Sequence, residues 1–314
     1  MSAEGLKHQQ RVYLTSAVHK RRQLRWHRTQ RHTHKRFREK QAQSNMASAN
    51  FGWDLFDILP RRDPRTKGWV LVGNKTFLVT VITGYVYLVK IAGPRLMKTR
   101  KPYNDLKPFI LLYNLSMVIA NVYFVTNFLS RSYLGGGYNI VCQGIDFEAR
   151  DKVTMEYLEL CWWYVWVRVA DLLDTVFFIL RKKDSHVSFL HVSHHAIVVF
   201  NCWYGLAYGA DGQPALGICI NSFIHVIMYS YYFLSLLGPS LRPYLCWKRH
   251  LTQLQLVQFG IMFAHDLIPL FVDCGYPRFH MAIGIAELIV ITTTFLRFYA
   301  CAYRTQSDLK GKVQ

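Results

Sequence analysis

The sequence predicts an all-α polytopic membrane protein with seven transmembrane helices. From residue 69 onward, seven apolar runs follow one another, at 69–91, 109–130, 155–180, 187–207, 215–237, 251–272 and 280–302. A run near twenty residues is long enough to cross the hydrocarbon core as a helix. The clusters between the runs alternate in charge. Arg95–Lys107 carries five bases and one acid, Arg181–His186 three and one, Leu241–His250 three and none, and the tail after Tyr303 three and one. The intervening loops Arg131–Lys152, Gly209–Pro214 and Phe271–Arg278 are neutral or slightly acidic. Cytosolic loops carry the excess of Lys and Arg, so the four basic segments and the C-terminus are expected in the cytosol.

The spans lie within a simple domain plan. Residues 1–45 hold twelve Lys or Arg against two acids and read as a basic, disordered extension. Met46 opens a segment, 46–68, expected in the lumen. The seven-span domain covers 69–302, and 303–314 form a cytosolic tail. A net charge of +19 suits nucleic acid or an anionic membrane surface. With seven spans behind it, the membrane is the expected partner and nucleic acid is not. No apolar stretch follows the basic arm, so no cleavable signal peptide is read there. Among seven Cys, Cys142 and Cys274 fall in predicted lumenal loops, where a disulfide can form.

Ionisable groups inside a bilayer are costly, roughly 2.5–3.5 kcal/mol each, so their positions point to function. The third span places Arg168, Asp171 and Asp174 with Thr175 on one stripe, and these must face inward and pair. The fourth span opens HVSFLHVSHHA, putting His191, His194 and His195 on one helix face. The fifth carries Asn221, Ser222, His225, Tyr229 and Tyr232 on one face. The sixth begins with Thr252, Gln255 and Gln258, with His265 roughly in line. Four polar stripes on neighbouring spans are expected to converge on one buried cavity.

Two chemistries use buried histidines. A di-iron site of the membrane desaturase or hydroxylase type needs about eight clustered imidazoles. Outside the arm the chain has eight His, but only one set is clustered, and His250 and His280 lie near opposite faces. The other chemistry is acyl transfer, with a neutral imidazole as nucleophile or base. No G-x-S-x-G elbow is present. Lys98, Arg100, Lys101, Lys182, Lys183, Lys248 and Arg249 in the basic loops suit the phosphates of coenzyme A. A non-enzymatic seven-helix transporter or receptor is the third reading.

The motifs resemble the ELO family of very-long-chain fatty acid elongases. HVSHH is similar to that family's His-x-x-His-His box, KPFILLYNLSMV to its Lys-Pro-Phe and Leu-Tyr-Asn signature, and RVADLLDTVFFILRKK to its Lys-x-x-Glu-x-x-Asp-Thr motif. NSFIHVIMYSYYF and LTQLQLVQF resemble its fifth- and sixth-span motifs. The resemblance, over about 50–305, implies a helical barrel around a narrow acyl tunnel. It also implies an endoplasmic-reticulum enzyme that condenses acyl-CoA with malonyl-CoA to 3-ketoacyl-CoA, CO2 and CoA, without metal or bound cofactor. By this resemblance His194 takes the acyl group, His191 and His195 orient it or move protons, and His225 and Asn221 assist at the enolate. Arg168, Asp171, Asp174, Thr175, Gln255 and Gln258 support them. Arg168 stands where the family has Lys, Asp171 where it has Glu, His186 where Gln is frequent and Ser193 where an aromatic is common. Other enzymes of the elongation cycle are implied partners, and a homodimer is among the assemblies open to it. The ending KGKVQ resembles a dilysine retrieval signal.

Overall fold

The computed structural model describes residues 62–304. The expected basic extension, residues 46–61 and the dilysine-like ending lie outside the described residues. Every regular element among the described residues is a helix. We number them α1 (Lys75–Met97), α2 (Lys107–Leu134), α3 (Lys152–Ala170), α4 (Leu173–Leu180), α5 (Phe189–Tyr208), α6 (Ala215–Leu237), α7 (Lys248–Phe271) and α8 (Arg278–Tyr299). Five of them, α1, α2, α6, α7 and α8, are long and apolar enough to cross a membrane. The chain is a multi-pass membrane protein.

The third and fourth expected spans form helices but are not among these five. The single helix expected at 155–180 is two. Backbone turns from Asp171 to Leu172 separate α3 from α4, with Asp174 N–H donating to Asp171 C=O and Thr175 N–H to Leu172 C=O. α3 also carries Glu156, Glu159 and Arg168, and α5 three histidines and Asn201, so neither has the unbroken apolarity of its neighbours. The first span begins later than residue 69. Trp69–Gly73 is a run of turns, with Leu71 at φ 72°, and the helix starts where the Asn74 side chain accepts from Phe77 N–H.

The apolar pattern of α2 is inverted relative to a soluble helix. It buries Asn114 and Asn121, while Leu112 and Ile119 are 64% and 62% exposed. Apolar side chains outward and amides inward suit a hydrocarbon surround, where a polar group must find its partner inside the protein. The main packing partners are α2 with α6, α7 with α8, α3 with α5, α6 with α7, α5 with α8 and α2 with α3, while α1 lies along α5.

Local signals set the helix that carries the histidines. Ser188 caps α5 by accepting from His191 N–H. Gly209 ends it at φ 138°, and a Cβ there would stand 2.6 Å from Ile145 Cδ1, so only glycine turns the chain in that space. Just beyond, Arg65 is buried between Asp63 and Asp211. Its Nη1 and Nη2 donate to the Asp211 carboxylate at 2.8 and 2.6 Å, Nε and Nη2 to Asp63 at 2.9 and 2.6 Å, and Nη1 also to Asp146 C=O. Thr66 Oγ1 donates to Leu206 C=O. Cys142 and Cys274 form a disulfide at this same end. His265 belongs here too: Gln213 donates to its carbonyl, and its ring lies 3.0 Å from Ile140 C=O. The approximate alignment of His265 with Gln255 and Gln258 therefore does not carry it to the histidine box.

Candidate active site

The polar stripes of α2, α3, α4 and α6 meet as one buried network. Arg168 is 1% exposed. Its Nη2 donates to Asn121 Oδ1 at 2.9 Å, its Nη1 lies 2.9 Å from Asp171 Oδ2, and the guanidinium sits 4.6 Å from the Tyr164 ring centroid. Tyr229 Oη lies 2.8 Å from Asp171 Oδ1 and 2.9 Å from Asp174 Oδ2. A phenol has one proton, so it can donate to one carboxylate at a time. Tyr113 Oη lies 3.5 Å from that of Tyr229 and donates to Ala170 C=O.

Thr175, the chain neighbour of Asp174, meets one of the histidines. Its Oγ1 lies 2.9 Å from Tyr85 Oη and 2.9 Å from His191 Nε2. The His191 and His195 ring centroids are 4.3 Å apart, and those of His194 and His195 are 5.8 Å apart. His194 packs edge-on against Phe295 at 5.8 Å. Its Nδ1 is buried and has no hydrogen-bond partner.

His194 is also a wall residue of a cavity of about 190 Å³ between α3, α5, α6, α7 and α8. On α5 the wall runs from His194 through Asn201 to Gly209, about 22 Å at 1.5 Å per residue. Asn221 and Gln258 share that wall, while His191, His195 and His225 are not among its residues. Asn221 is oriented by Tyr164, whose Oη donates to Oδ1 at 3.0 Å; its amide N–H2 is left for other acceptors. His225 Nδ1 lies 2.8 Å from Asn221 C=O. A carbonyl only accepts, so Nδ1 bears the proton and a neutral His225 presents a lone pair at Nε2. Neutral His225 therefore has no proton to donate from Nε2. Gln255 and Gln258 make only weak contacts, to the sulfurs of Met228 and Met262. Among the described residues, no three His, Cys, Asp or Glu side chains are grouped as metal ligands.

The seven expected phosphate-binding cations stand in different surroundings. Burial and the nearby charges of Arg181 and Lys248 push the Lys183 pKa down. Burial, Lys183 and Lys248 do the same to His186. Arg249 turns instead to the Tyr299 hydroxyl at 3.0 Å, and Arg100 to that of Tyr103 at 3.0 Å. Lys98, Lys101 and Lys182 are exposed. Tyr85, Tyr113, Asn121 and Tyr164 escape sequence reasoning because uncharged polar groups in an apolar run give little signal. Glu287 lies on the cavity wall and was equally missed, although a lone acid in the seventh span carries the same cost as Asp174.

A helical membrane protein with a buried, partly unpaired histidine cluster opening on a long cavity has the form of an enzyme for apolar-chain substrates. Residues 70–311 match the ELO (GNS1/SUR4) family, and the chain belongs to it. It is 39% identical over 250 residues to very long chain fatty acid elongase 4 of Homo sapiens, covering 79% of this chain and 78% of that one. A very long chain fatty acid elongase of Aedes aegypti is 38% identical over 243 residues, 77% of this chain and 67% of the relative. Elongase 7 of Drosophila melanogaster is 35% identical over 267 residues, with coverage of 83% and 78%. The chain is an enzyme of fatty acid elongation.

Proposed function

We propose that this elongase is the condensing enzyme, a very-long-chain 3-oxoacyl-CoA synthase that works through an acyl-histidine. The observation that carries the reading is the buried, unpartnered Nδ1 of His194 on the wall of the long cavity. A buried polar atom without a partner costs stability, and its persistence suits a nucleophile. In the first stage an imidazole nitrogen of His194 attacks the thioester carbon. The C–S bond breaks, and the thiolate leaves as CoA-SH with the imidazole proton. In the second stage malonyl-CoA loses CO2. The resulting enolate carbon attacks the acyl-imidazole, the C–N bond breaks, and the imidazole regains a proton to release 3-ketoacyl-CoA.

His191 and His195 form the proton route behind His194, held by Thr175 and the Asp171–Tyr229–Asp174 group. Asn221, fixed by Tyr164, donates to the developing enolate oxygen, a role in which one aligned donor is worth about 2.7–4 kcal/mol. The His225 lone pair acts as a base. Gln258 borders the same space, and Gln255 supports it from α7. The cavity is the acyl channel, and Lys98, Arg100, Lys101, Lys182, Lys183, Lys248 and Arg249 are candidates to meet the coenzyme A phosphates.

Of seven spans, with α3–α4 and α5 shielded by their neighbours, six close the packing ring α2–α6–α7–α8–α5–α3 into a barrel, and α1 packs along α5. The basic ends face the cytosol and the disulfide end faces the lumen of the endoplasmic reticulum. The substrates are acyl-CoA and malonyl-CoA, with no metal required. Other enzymes of the elongation cycle are its partners, and a homodimer is one arrangement for it.

Malonyl-CoA incorporation by microsomes expressing the chain, with a panel of acyl-CoAs and His194→Ala beside it, tests the reading. Incorporation that needs neither iron nor oxygen and vanishes in the variant is the expected result. Well-expressed protein that incorporates no malonyl carbon, whichever acyl-CoA is supplied, would overturn it.

A further inference from the structure

The channel has polar groups that the condensation does not use. Glu287 is on its wall at mid-depth on α8, flanked by the wall residues Gly284 and Leu288. Its Oε2 is buried and has no hydrogen-bond partner. Tyr204 lines the same cavity from α5; it is 8% exposed, and its Oη is likewise without a partner. The elements carrying Glu287 and Tyr204 meet at both ends of this stretch, with His194 against Phe295 and Tyr204 against His280, ring centroids 5.8 and 5.3 Å apart. Buried polar atoms are nearly always paired. Two unpaired ones on residues of one cavity wall mark a place where something polar belongs.

Resting on the acyl-channel reading, we infer that Glu287 and Tyr204 form a mid-channel subsite for a hydroxyl group on the acyl chain. A hydroxyl has both a proton to give and lone pairs to accept with, so it can pair with the carboxylate, with the phenol or, placed between them, with both. The depth of the subsite sets where on the chain that group must be. Glu287 is eight residues from Phe295, and Tyr204 is ten from His194, which places them about 12 and 15 Å below the reacting imidazole. An extended chain advances about 1.2 Å per bond, so the matching hydroxyl is roughly ten to twelve bonds from the thioester carbon. Unsubstituted chains also enter, but leave the two groups unpaired. Discrimination of this kind is large where a site is built to hydrogen-bond a substrate hydroxyl.

The test compares kcat/KM for 12-hydroxyoctadecanoyl-CoA, 2-hydroxyoctadecanoyl-CoA and octadecanoyl-CoA in wild type, Glu287→Leu, Glu287→Gln and Tyr204→Phe. The 12-hydroxy to unsubstituted ratio is expected to fall about tenfold in Glu287→Leu, to fall by less in Tyr204→Phe, and to be largely kept in Glu287→Gln. The 2-hydroxy to unsubstituted ratio is expected not to depend on residue 287. An equal 12-hydroxy ratio in wild type and Glu287→Leu, as a water bridge between the two side chains would give, overturns the inference. Thermal stabilisation of purified protein by the same acyl-CoAs provides a readout without turnover. If no acyl-CoA is condensed, the function proposed above fails, and the stabilisation by 12-hydroxyoctadecanoyl-CoA relative to octadecanoyl-CoA, compared between wild type and Glu287→Leu, still decides the subsite.

Discussion

The two ends of α5 treat buried polar groups in opposite ways. At its C-terminal end, Arg65 has all three guanidinium nitrogens bonded to Asp63, Asp211 and Asp146 C=O, and the Cys142–Cys274 disulfide ties neighbouring loops. The Arg65 guanidinium has no nitrogen left for a ligand. Toward its N-terminal end, Arg168 pairs with Asn121 and Asp171, and Tyr229 lies between Asp171 and Asp174, while His194 Nδ1 has no partner. A satisfied buried network contributes rigidity, whereas an unsatisfied buried atom still has a hydrogen bond to make. The contrast separates groups that hold the fold from groups that use it.

His194→Ala should separate the two most sharply. Condensation is expected to fall by at least about a thousandfold with little loss of thermal stability; a large drop in Tm would place His194 with the structural groups instead. Arg65→Ala should do the reverse. It leaves two buried carboxylates without their cation, at a cost of about 3–5 kcal/mol, measured by denaturation in detergent, while any protein that remains folded retains turnover. Tyr229→Phe lies between the two. It removes the hydroxyl that Asp171 and Asp174 share, and is expected to cost about 1–3 kcal/mol and to slow condensation as well. If stability fell while kcat held, the network would be scaffolding alone.

The smallest effect expected is at Asp151, the cap of α3. Partial burial pushes its pKa up, but hydrogen bonds from Thr154 and Val153 outweigh this and hold its carboxyl below the ordinary 3.8. A depressed carboxylate stabilises fully above its unfolded value and loses that contribution as pH falls through the folded one. Asp151→Ala should therefore cost about 1 kcal/mol at neutral pH, with the gap to wild type closing as the pH is taken below 3.8.

Much of this was legible in the sequence. Charges in apolar runs are conspicuous, so Arg168, Asp171, Asp174 and the histidines of α5 stood out, and helix periodicity placed them on shared faces. The break at Asp171–Leu172 was not visible, because no Pro or Gly marks it; the interruption goes with residues whose side chains are committed to tertiary partners. The first span was placed too early because Trp69 and Val70 are apolar but lie in turns, their carbonyl neighbourhood held by Trp162 and Trp203 N–H groups at Val70 and Leu71 C=O. Asp63 and Arg65 lay outside the expected spans and gave no sign of a buried ion pair. The tautomer of His225 depends on a backbone carbonyl one turn away, which composition and spacing do not report.

The acyl-histidine is tested most directly by mass spectrometry of purified protein incubated with acyl-CoA and no malonyl-CoA. The expected result is an acyl adduct on the peptide containing His194, absent in His194→Ala and discharged when malonyl-CoA is added. An enzyme that condenses the two substrates while no adduct forms, or whose adduct lies on Cys161 or Cys202 of the cavity wall, would contradict it.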